Sequence, residues 1–166
     1  MMNNSNTKEL DSTDYDILRI LSKDSRKSHR RLGEELDKSP TTIGKHIEEL
    51  KERGIIKTFS VDIDYEKLGF NIIALIELTI SKGKMLDVEK EIANDPNVFG
   101  VYDVTGTYDA LILARFRTRK DLSNMVKKIN SKDYIERTNT HLILNVIKEG
   151  TSFVELMEYE KNKDKK

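Results

Sequence analysis

The segment from Ser28 to Gly54 constrains the fold more than any other part of the chain, because it joins two short helical patterns by a very short connection. Leu32 and Leu36 lie four residues apart and therefore share one face of the first helix. Ser39 is suited to cap a second helix, with Pro40 at its first position, where the missing N–H costs nothing. Three apolar residues would line the inner face of this second helix: Ile43, Ile47 and Leu50. Two helices with so tight a turn predict a helix-turn-helix, whose second helix enters the major groove of DNA.

Polar and basic side chains surround this turn. Hydroxyl, imidazole and cationic groups can bond base edges and phosphates, so we predict that the outward-facing ones contact DNA. This predicted set is Arg30, Arg31, Lys38, Ser39, Thr41, Thr42, Lys45 and His46. Between Arg19 and Arg31 the basic residues outnumber the acidic ones by six to one, which favours a path for phosphates. An ordinary helical hairpin with a solvated charged face fits the same pattern and stays open as an alternative.

The composition excludes several kinds of chemistry. The 166 residues include no cysteine and only three scattered histidines, which rules out disulfides and thiolate catalysis and makes a metal centre a poor fit. We therefore expect no metal and no cofactor. No apolar run approaches the roughly 20 residues that span a bilayer, and the N-terminus lacks the apolar core of a secretory signal. We expect a cytoplasmic protein with no membrane partner.

The overall charge does not favour a polyanionic partner. The chain has 29 basic and 29 acidic residues and a formal net charge of zero. Any DNA binding must therefore depend on local patches and on multiplication through oligomers.

The amino-terminal part of the chain divides into three segments. Residues 1–9 are polar without periodicity and predict a disordered tail. Residues 10–54 predict a three-helix, winged-helix-like head, with Asp11 as the cap of its first helix. In residues 55–70 an alternating pattern predicts a tethering strand, either a wing or a strand that pairs with a second copy, followed by a linker.

The carboxy-terminal part has the order β-α-β-β-α-β between residues 71 and 157. This order predicts a ferredoxin-like domain, with four strands in one sheet and both helices on one face, so the fold class is α+β. The other face would be bare, and a second copy stacked on it would cover it, so we expect a dimer. Residues 149–157 are expected to add an edge strand or to exchange with the partner, and residues 158–166 to form a charged tail.

Several segments together resemble the Lrp/AsnC family, the feast/famine transcription regulators of bacteria and archaea. They are Leu10-Asp11 at the start of the first helix, SPTTIGKHIEEL, RGIIK, VTGTYDALILARF and TNTHLILNVIKEG. The resemblance covers about residues 10–150. It implies a sequence-specific regulator that binds double-stranded DNA and is not an enzyme. It also implies a dimer that can assemble into tetramers or octamers, with an amino-acid effector held between dimers.

The resemblance also carries over an effector-binding set: Gly106, Asp109, Thr138 and Thr140. An α-amino group would pair with the carboxylate of Asp109, while hydroxyl and backbone N–H groups would bind the α-carboxylate. A purely architectural interpretation also fits, in which Gly106 makes the hairpin turn and the threonines are ordinary strand residues.

The chain departs from the family pattern in the head. Asp37-Lys38 stand where the family usually has glycine and an apolar residue, although aspartate tolerates the left-handed conformation. Glu48 and Glu49 lie in the second helix and would repel phosphates if they faced the duplex.

Three other functions stay open. One is an enzyme like the sirohaem decarboxylases, which share this architecture and need histidine and arginine beside a tetrapyrrole; the candidates are His141, Arg115 and Arg137. Another is a sequence-indifferent architectural DNA-binding protein. A third is a ligand sensor whose head has lost DNA binding.

Overall fold

A computed structural model describes residues 9–81, 83–150 and 152–163. The chain divides into two compact units. The first, which we call the head unit, combines the residues up to Asp62 with those from Glu149 onward, and the second, the sheet unit, spans Ile63–Lys148. The chain therefore leaves the head unit, forms the whole sheet unit and then returns.

Three helices build the predicted head: α1 (Ser12–Leu21), α2 (His29–Leu36) and α3 (Pro40–Glu52). Each begins at a side-chain cap, since Asp11, Ser28 and Ser39 accept hydrogen bonds from the backbone N–H groups of the first turns. A small cluster of apolar side chains forms the buried core: Ile17, Leu21, Leu32, Ile43, Ile47 and Leu50. The apolar spacing that predicted the three helices thus also identified their buried faces.

Four antiparallel strands and two helices build the sheet unit. In chain order they are β1 (Ile72–Ile80), α4 (Met85–Ala93), β2 (Val98–Asp103), β3 (Ala110–Phe116), α5 (Arg119–Asn130) and β4 (Ile135–Ile143). The strand order is β2-β3-β1-β4, so β1 and β2 run in the same direction on either side of β3. This is the ferredoxin-like arrangement predicted from the sequence.

The two faces of this sheet differ sharply. One face is buried, because alternate residues of β1 and β3 pack against α4 and α5. Val88, Leu122 and Met125 are among the helix side chains in this core. The opposite face carries aliphatic side chains that stay partly exposed, including Leu75 and its cross-strand neighbour Leu113. The bare face that the topology predicted therefore exists.

Two segments differ from the sequence-based expectations. Residues 57–64, expected to include a strand, form no helix or strand and pair with no strand among the described residues, so pairing with a second copy stays a prediction. Residues 149–157 do not add an edge strand to the sheet, and the expected charged tail is instead mostly helical, since α6 spans Phe153–Lys163 in the head unit. Both differences have one cause: alternating or charged sequence does not say whether a backbone partner is present.

Aromatic and cationic side chains hold the connector that precedes β1. The rings of Tyr65 and Phe70 meet edge to face at 6.1 Å. Arg115 lies 4.8 Å from the Tyr65 ring and 4.1 Å from the Phe99 ring, and Arg117 lies 4.5 Å from the Phe70 ring. These cation–π contacts fix the connector to the sheet unit.

No helix in the described part of the chain has the length and apolar character that crossing a bilayer requires.

Candidate nucleic-acid interface and effector loop

The turn between α2 and α3 is as tight as a helix-turn-helix requires. Asp37 takes the left-handed conformation, with φ 51° and ψ 50°, and its N–H and that of Lys38 both reach the carbonyl of Gly33. A Cβ atom on Gly33 would lie 2.5 Å from the Lys38 carbonyl oxygen, so only glycine allows this approach. The sequence analysis accounted for Asp37 correctly but missed Gly33, whose position inside an apparent helix was the available signal.

Ser39 and Thr42 are bonded to each other at the start of α3. The Ser39 hydroxyl accepts the Thr42 N–H at 3.0 Å, and the two hydroxyl oxygens lie 2.8 Å apart. These two residues of the predicted DNA-contacting set therefore organise the helix start, while the neighbouring Thr41 is exposed there. Thr41 keeps a hydroxyl free to meet a base edge or a phosphate.

The basic residues around the turn fall into two groups. Arg30 is paired with Glu34 at 3.0 Å, and Lys27 with Glu35 at 2.6 Å. Arg31, Lys38 and Lys45 are exposed and have no carboxylate partner among the described residues. The unpaired cations are therefore the stronger candidates for phosphate contacts, and Arg30 is a weaker one than the sequence suggested.

His46 has a partner inside the head. Its Nδ1 lies 2.7 Å from Oδ1 of Asp14, which is only 4% exposed. The other Asp14 carboxylate oxygen accepts the backbone N–H of Asp11, and Asp11 accepts the N–H of Asp14, which completes a capping box. His46 therefore ties α3 to the start of α1, and its direct contact with DNA stays a prediction.

The same three side chains are the only described cluster with metal-ligand spacing. One ligand atom from each of Asp11, Asp14 and His46 lies within 4.8 Å of the others. The hydrogen bonds just given already satisfy these groups, so the cluster fits a helix cap better than an ion site.

One of the two acidic residues that raised doubt about DNA binding is paired locally. Glu48 accepts an ion pair from Lys51 at 2.9 Å, one helical turn later. Base contacts in this motif come from the first turns of the second helix, which here carry Thr41 and Lys45 rather than acids.

The loop between β2 and β3 holds the first half of the predicted effector-binding set. Gly106 has φ +127°, a conformation that L side chains rarely adopt. Oδ2 of Asp109 accepts the backbone N–H of Ile80 at 2.8 Å, and the Asp109 N–H donates to the carbonyl of Leu78 at 2.8 Å. One carboxylate oxygen of Asp109 is thus already used to hold the end of β1.

The two threonines lie on the other side of β1. Thr138 pairs with Leu78, Thr140 pairs with Ile76, and the Thr138 hydroxyl donates to the side-chain oxygen of Asn130 at 2.9 Å. Because β1 separates β3 from β4, Thr138 and the start of β3 are two strand spacings apart, roughly 10 Å. One chain therefore does not gather the four predicted residues around a single ligand, and the loop with Gly106 and Asp109 is the more coherent half.

A polar cluster on the bare face of the sheet was not predicted. Oε2 of Glu77 lies 3.0 Å from Nε2 of His141 and accepts the side-chain N–H of Asn139 at 2.8 Å. These hydrogen bonds, from His141 first and Asn139 second, lower the pKa of Glu77 below its ordinary value of 4.5. The signal was present in the sequence, since Glu77 is the only charged residue of the apolar β1.

This cluster also bears on the enzyme alternative. His141 is engaged with Glu77, while Arg115 is stacked between Tyr65 and Phe99. Two of the three residues proposed for tetrapyrrole chemistry thus have structural partners in this chain.

Comparison with known proteins identifies both parts of the chain. Residues 10–57 match the profile of a winged helix-turn-helix DNA-binding domain, and residues 73–153 match that of the Lrp/AsnC ligand binding domain. The HTH-type transcriptional regulator PH1692 of Pyrococcus horikoshii is 42% identical over 141 residues, which cover 85% of this chain and 95% of that protein.

Solved structures agree with these matches. AsnC of E. coli superposes with a TM-score of 0.80 at 25% identity, covering 87% of this chain and 98% of AsnC. The transcriptional regulator NMB0573 of Neisseria meningitidis, solved as an L-Met complex, has a TM-score of 0.78 at 25% identity, covering 87% of this chain and 96% of that one. The family consists of transcription regulators, so the enzyme alternative is not supported. A helix-turn-helix head followed by an effector-type sheet domain is the architecture of these regulators, and the chain belongs to the Lrp/AsnC family of DNA-binding transcription regulators.

Proposed function

We propose that the chain acts in the cytoplasm as a dimer that recognises specific DNA sequences through Arg31, Lys38, Thr41 and Lys45. The observation that carries this proposal is a set of exposed cations around the tight turn, Arg31, Lys38 and Lys45, that have no carboxylate partner among the described residues. Cations that are already paired with carboxylates must break those pairs before they bind phosphate, whereas Arg31, Lys38 and Lys45 need not. Ser39 and Thr42 support the contact by fixing the first turn of α3, because the positive end of the helix dipole lies there and favours an anion.

The test is selection of bound fragments from genomic DNA, followed by titration of Lys45→Ala. Lys51→Ala is the matched control, because Lys51 lies on the same helix but is paired with Glu48. We expect Lys45→Ala to weaken binding and to reduce the salt slope by about one unit, and Lys51→Ala to leave both near the starting values. Equal effects of the two substitutions would remove Lys45 from the interface. Equal affinity for selected and random fragments would favour the architectural alternative.

Self-association is the second part of the proposal. Within the sheet unit, Leu144 is 87% and Ile147 93% exposed, beyond the end of β4, and the bare face adds Leu75 and Leu113. Aliphatic surface of this extent in one region is typical of an interface. In the head unit, residues 57–62 pair with no described strand and expose Phe59 and Val61, which suits strand pairing with a second copy.

Sedimentation of Leu113→Glu tests this interface. A charge at the centre of the bare face should convert dimers to monomers, whereas Leu86→Glu, on an exposed α4 position, should not. Monomeric behaviour of the unchanged chain would rule the interface out.

Amino-acid sensing is the third part. It is supported by the ligand-binding profile, by the L-Met complex of the Neisseria regulator and by the Gly106–Asp109 loop. We propose that an α-amino group binds the Asp109 carboxylate at that loop, with the partner copies completing the pocket.

Thermal shift with single amino acids tests the sensing step. Asp109→Asn keeps an acceptor for the Ile80 N–H but removes the charge, so it should abolish the shift and preserve the fold. Asp103→Asn, at the end of β2, serves as the control. A shift that survives Asp109→Asn would place the ligand elsewhere.

A further inference from the structure

The carboxy-terminal helix α6 lies beyond the parts of the chain that define the family. The ligand-domain match ends at residue 153, where α6 begins, and the DNA-binding match ends at residue 57. PH1692 is covered to 95% by 141 residues, so that regulator has little length to spare for such an addition. The properties of the family therefore do not explain α6.

Three of the apolar side chains of α6 face the outer side of α1. Phe153, Val154 and Met157 lie on one helical face and are half-buried, and they line a narrow groove with Tyr15 and Arg19. The opposite side of α6 is open, with Leu156 at 45% and Tyr159 at 64% exposed.

Phe153 is the anchor of this contact. It also lines a second groove of about 530 Å³ in the head unit, together with Leu18, Leu21 and Ile56. Since no residue of α6 is fully buried, the docking is shallow and can open without unfolding the head core.

The docked helix leaves the DNA-contacting surface free. The groove between α1 and α6 is lined, among the described residues, by these two helices alone. Lys38, Thr41 and Lys45 do not line it. The head can therefore hold α6 and DNA at the same time.

We propose that the outer face of α1 is a docking surface for α6 of the same chain, and that this contact restrains the head. The chain enters the sheet unit after Asp62 and returns at Glu149, so a docked α6 gives the head a second attachment. A second attachment reduces the orientations that the head samples, which lowers the entropic cost of placing two heads on two half-sites. This consequence for DNA rests on the proposed function, whereas the docking itself does not.

Distance measurements between spin labels test the docking and the restraint without DNA. The chain has no cysteine, so Ser12→Cys with Asn162→Cys reports the distance from α1 to α6, and Ser12→Cys with Lys90→Cys reports the freedom of the head. Labelled chains are diluted with unlabelled ones so that only distances within a chain contribute.

The docking-face variant is Phe153→Ala/Met157→Ala. The matched control is Leu156→Ala/Tyr159→Ala, which removes one aromatic and one aliphatic side chain from the exposed face of the same helix. We expect both distance distributions to be narrow in the unchanged chain and the control and to broaden in the docking-face variant. Equal widths in the two variants, or a narrow α1–α6 distance that vanishes on dilution, would overturn the proposal.

The DNA measurement separates this proposal from the proposed function. The docking-face variant should lose about tenfold in affinity for a two-half-site fragment and nothing for a single half-site. An equal loss on both fragments would overturn the restraint. If the unchanged chain bound no DNA, the proposed function would fail, while the two distance measurements would still decide whether α6 docks and restrains the head.

Discussion

Around the turn before α3 in the head unit, the exposed side chains without a carboxylate partner among the described residues are cations, whereas beyond the end of β4 in the sheet unit the exposed side chains include aliphatic ones. Arg31, Lys38 and Lys45 surround the turn before α3, while Leu144 and Ile147 extend from the end of β4. A cationic surface is suited to a polyanion and an aliphatic one to another protein surface. These two surfaces are therefore suited to the two tasks that we propose, binding DNA and assembling.

Both units also contain a histidine bonded to a carboxylate, and the two pairs differ in burial. The His46–Asp14 pair has side chains that are 19% and 5% exposed, and the His141–Glu77 pair has side chains that are 51% and 19% exposed. A buried pair strongly destabilises a fold when one partner is lost, whereas an exposed pair contributes little. The head should thus depend on its pair more than the sheet unit does.

The largest expected effect is a loss of stability when a leucine is removed from either buried core, the small core of the head unit or the larger core of the sheet unit. Leu32→Ala should destabilise the head by about 3 kcal/mol, because Leu32 is fully buried in the smaller cluster. Leu78→Ala should cost a similar amount in the sheet unit, whose cluster is larger. Hydrogen exchange should show that each substitution exposes its own unit first. A single transition shared by both units would break the comparison.

Gly33→Ala should destabilise the head by about 2 kcal/mol and abolish DNA binding, because its Cβ would lie 2.5 Å from a backbone oxygen of the turn. Gly44→Ala is the matched control in α3. Its Cβ would lie 3.2 Å from the movable side chain of His29, and alanine favours helix by about 1 kcal/mol. Urea denaturation of both variants should give opposite signs. A tolerated Gly33→Ala would mean that the turn is looser than the structure shows.

These two glycines show what the sequence could and could not predict. Periodicity predicted the helices, and the element order predicted the sheet, because apolar spacing reports which faces are buried. A glycine required by a backbone carbonyl, such as Gly33, cannot be identified by apolar spacing, because the clash is with the Lys38 carbonyl of the turn after the helix. The same limit applies to His46, whose partner Asp14 lies 32 residues earlier. It applies to α6 as well, whose few apolar residues have meaning only beside α1.

Asp14→Ala should cost about 1–2 kcal/mol in the head, since it removes half of the capping box and leaves His46 without its partner. Asp16→Ala is the control, because Asp16 makes only an exposed pair with Arg19 at 2.9 Å, and it should change stability by less than about 0.5 kcal/mol. Thermal unfolding of the two variants measures the difference. Equal melting temperatures would mean that the His46 bond adds nothing to the fold.

The smallest expected effect distinguishes two carboxylates of the sheet unit by pH. Hydrogen bonds from His141 and Asn139 lower the pKa of Glu77, so its contribution to stability is present above the ordinary value of 4.5 and is lost as the pH falls through the lowered pKa. Burial, and then the charge of Asp103, raise the pKa of Glu89, whose Oε1 is buried without a partner. Glu89 therefore favours the fold only when it is protonated, and this contribution is lost as the pH rises through the raised pKa.

At neutral pH, Glu77→Gln should destabilise the sheet unit slightly and Glu89→Gln should stabilise it. Urea titrations above and below pH 4.5 measure both, and the same sign for the two variants would show that hydrogen bonding and burial do not separate these carboxylates.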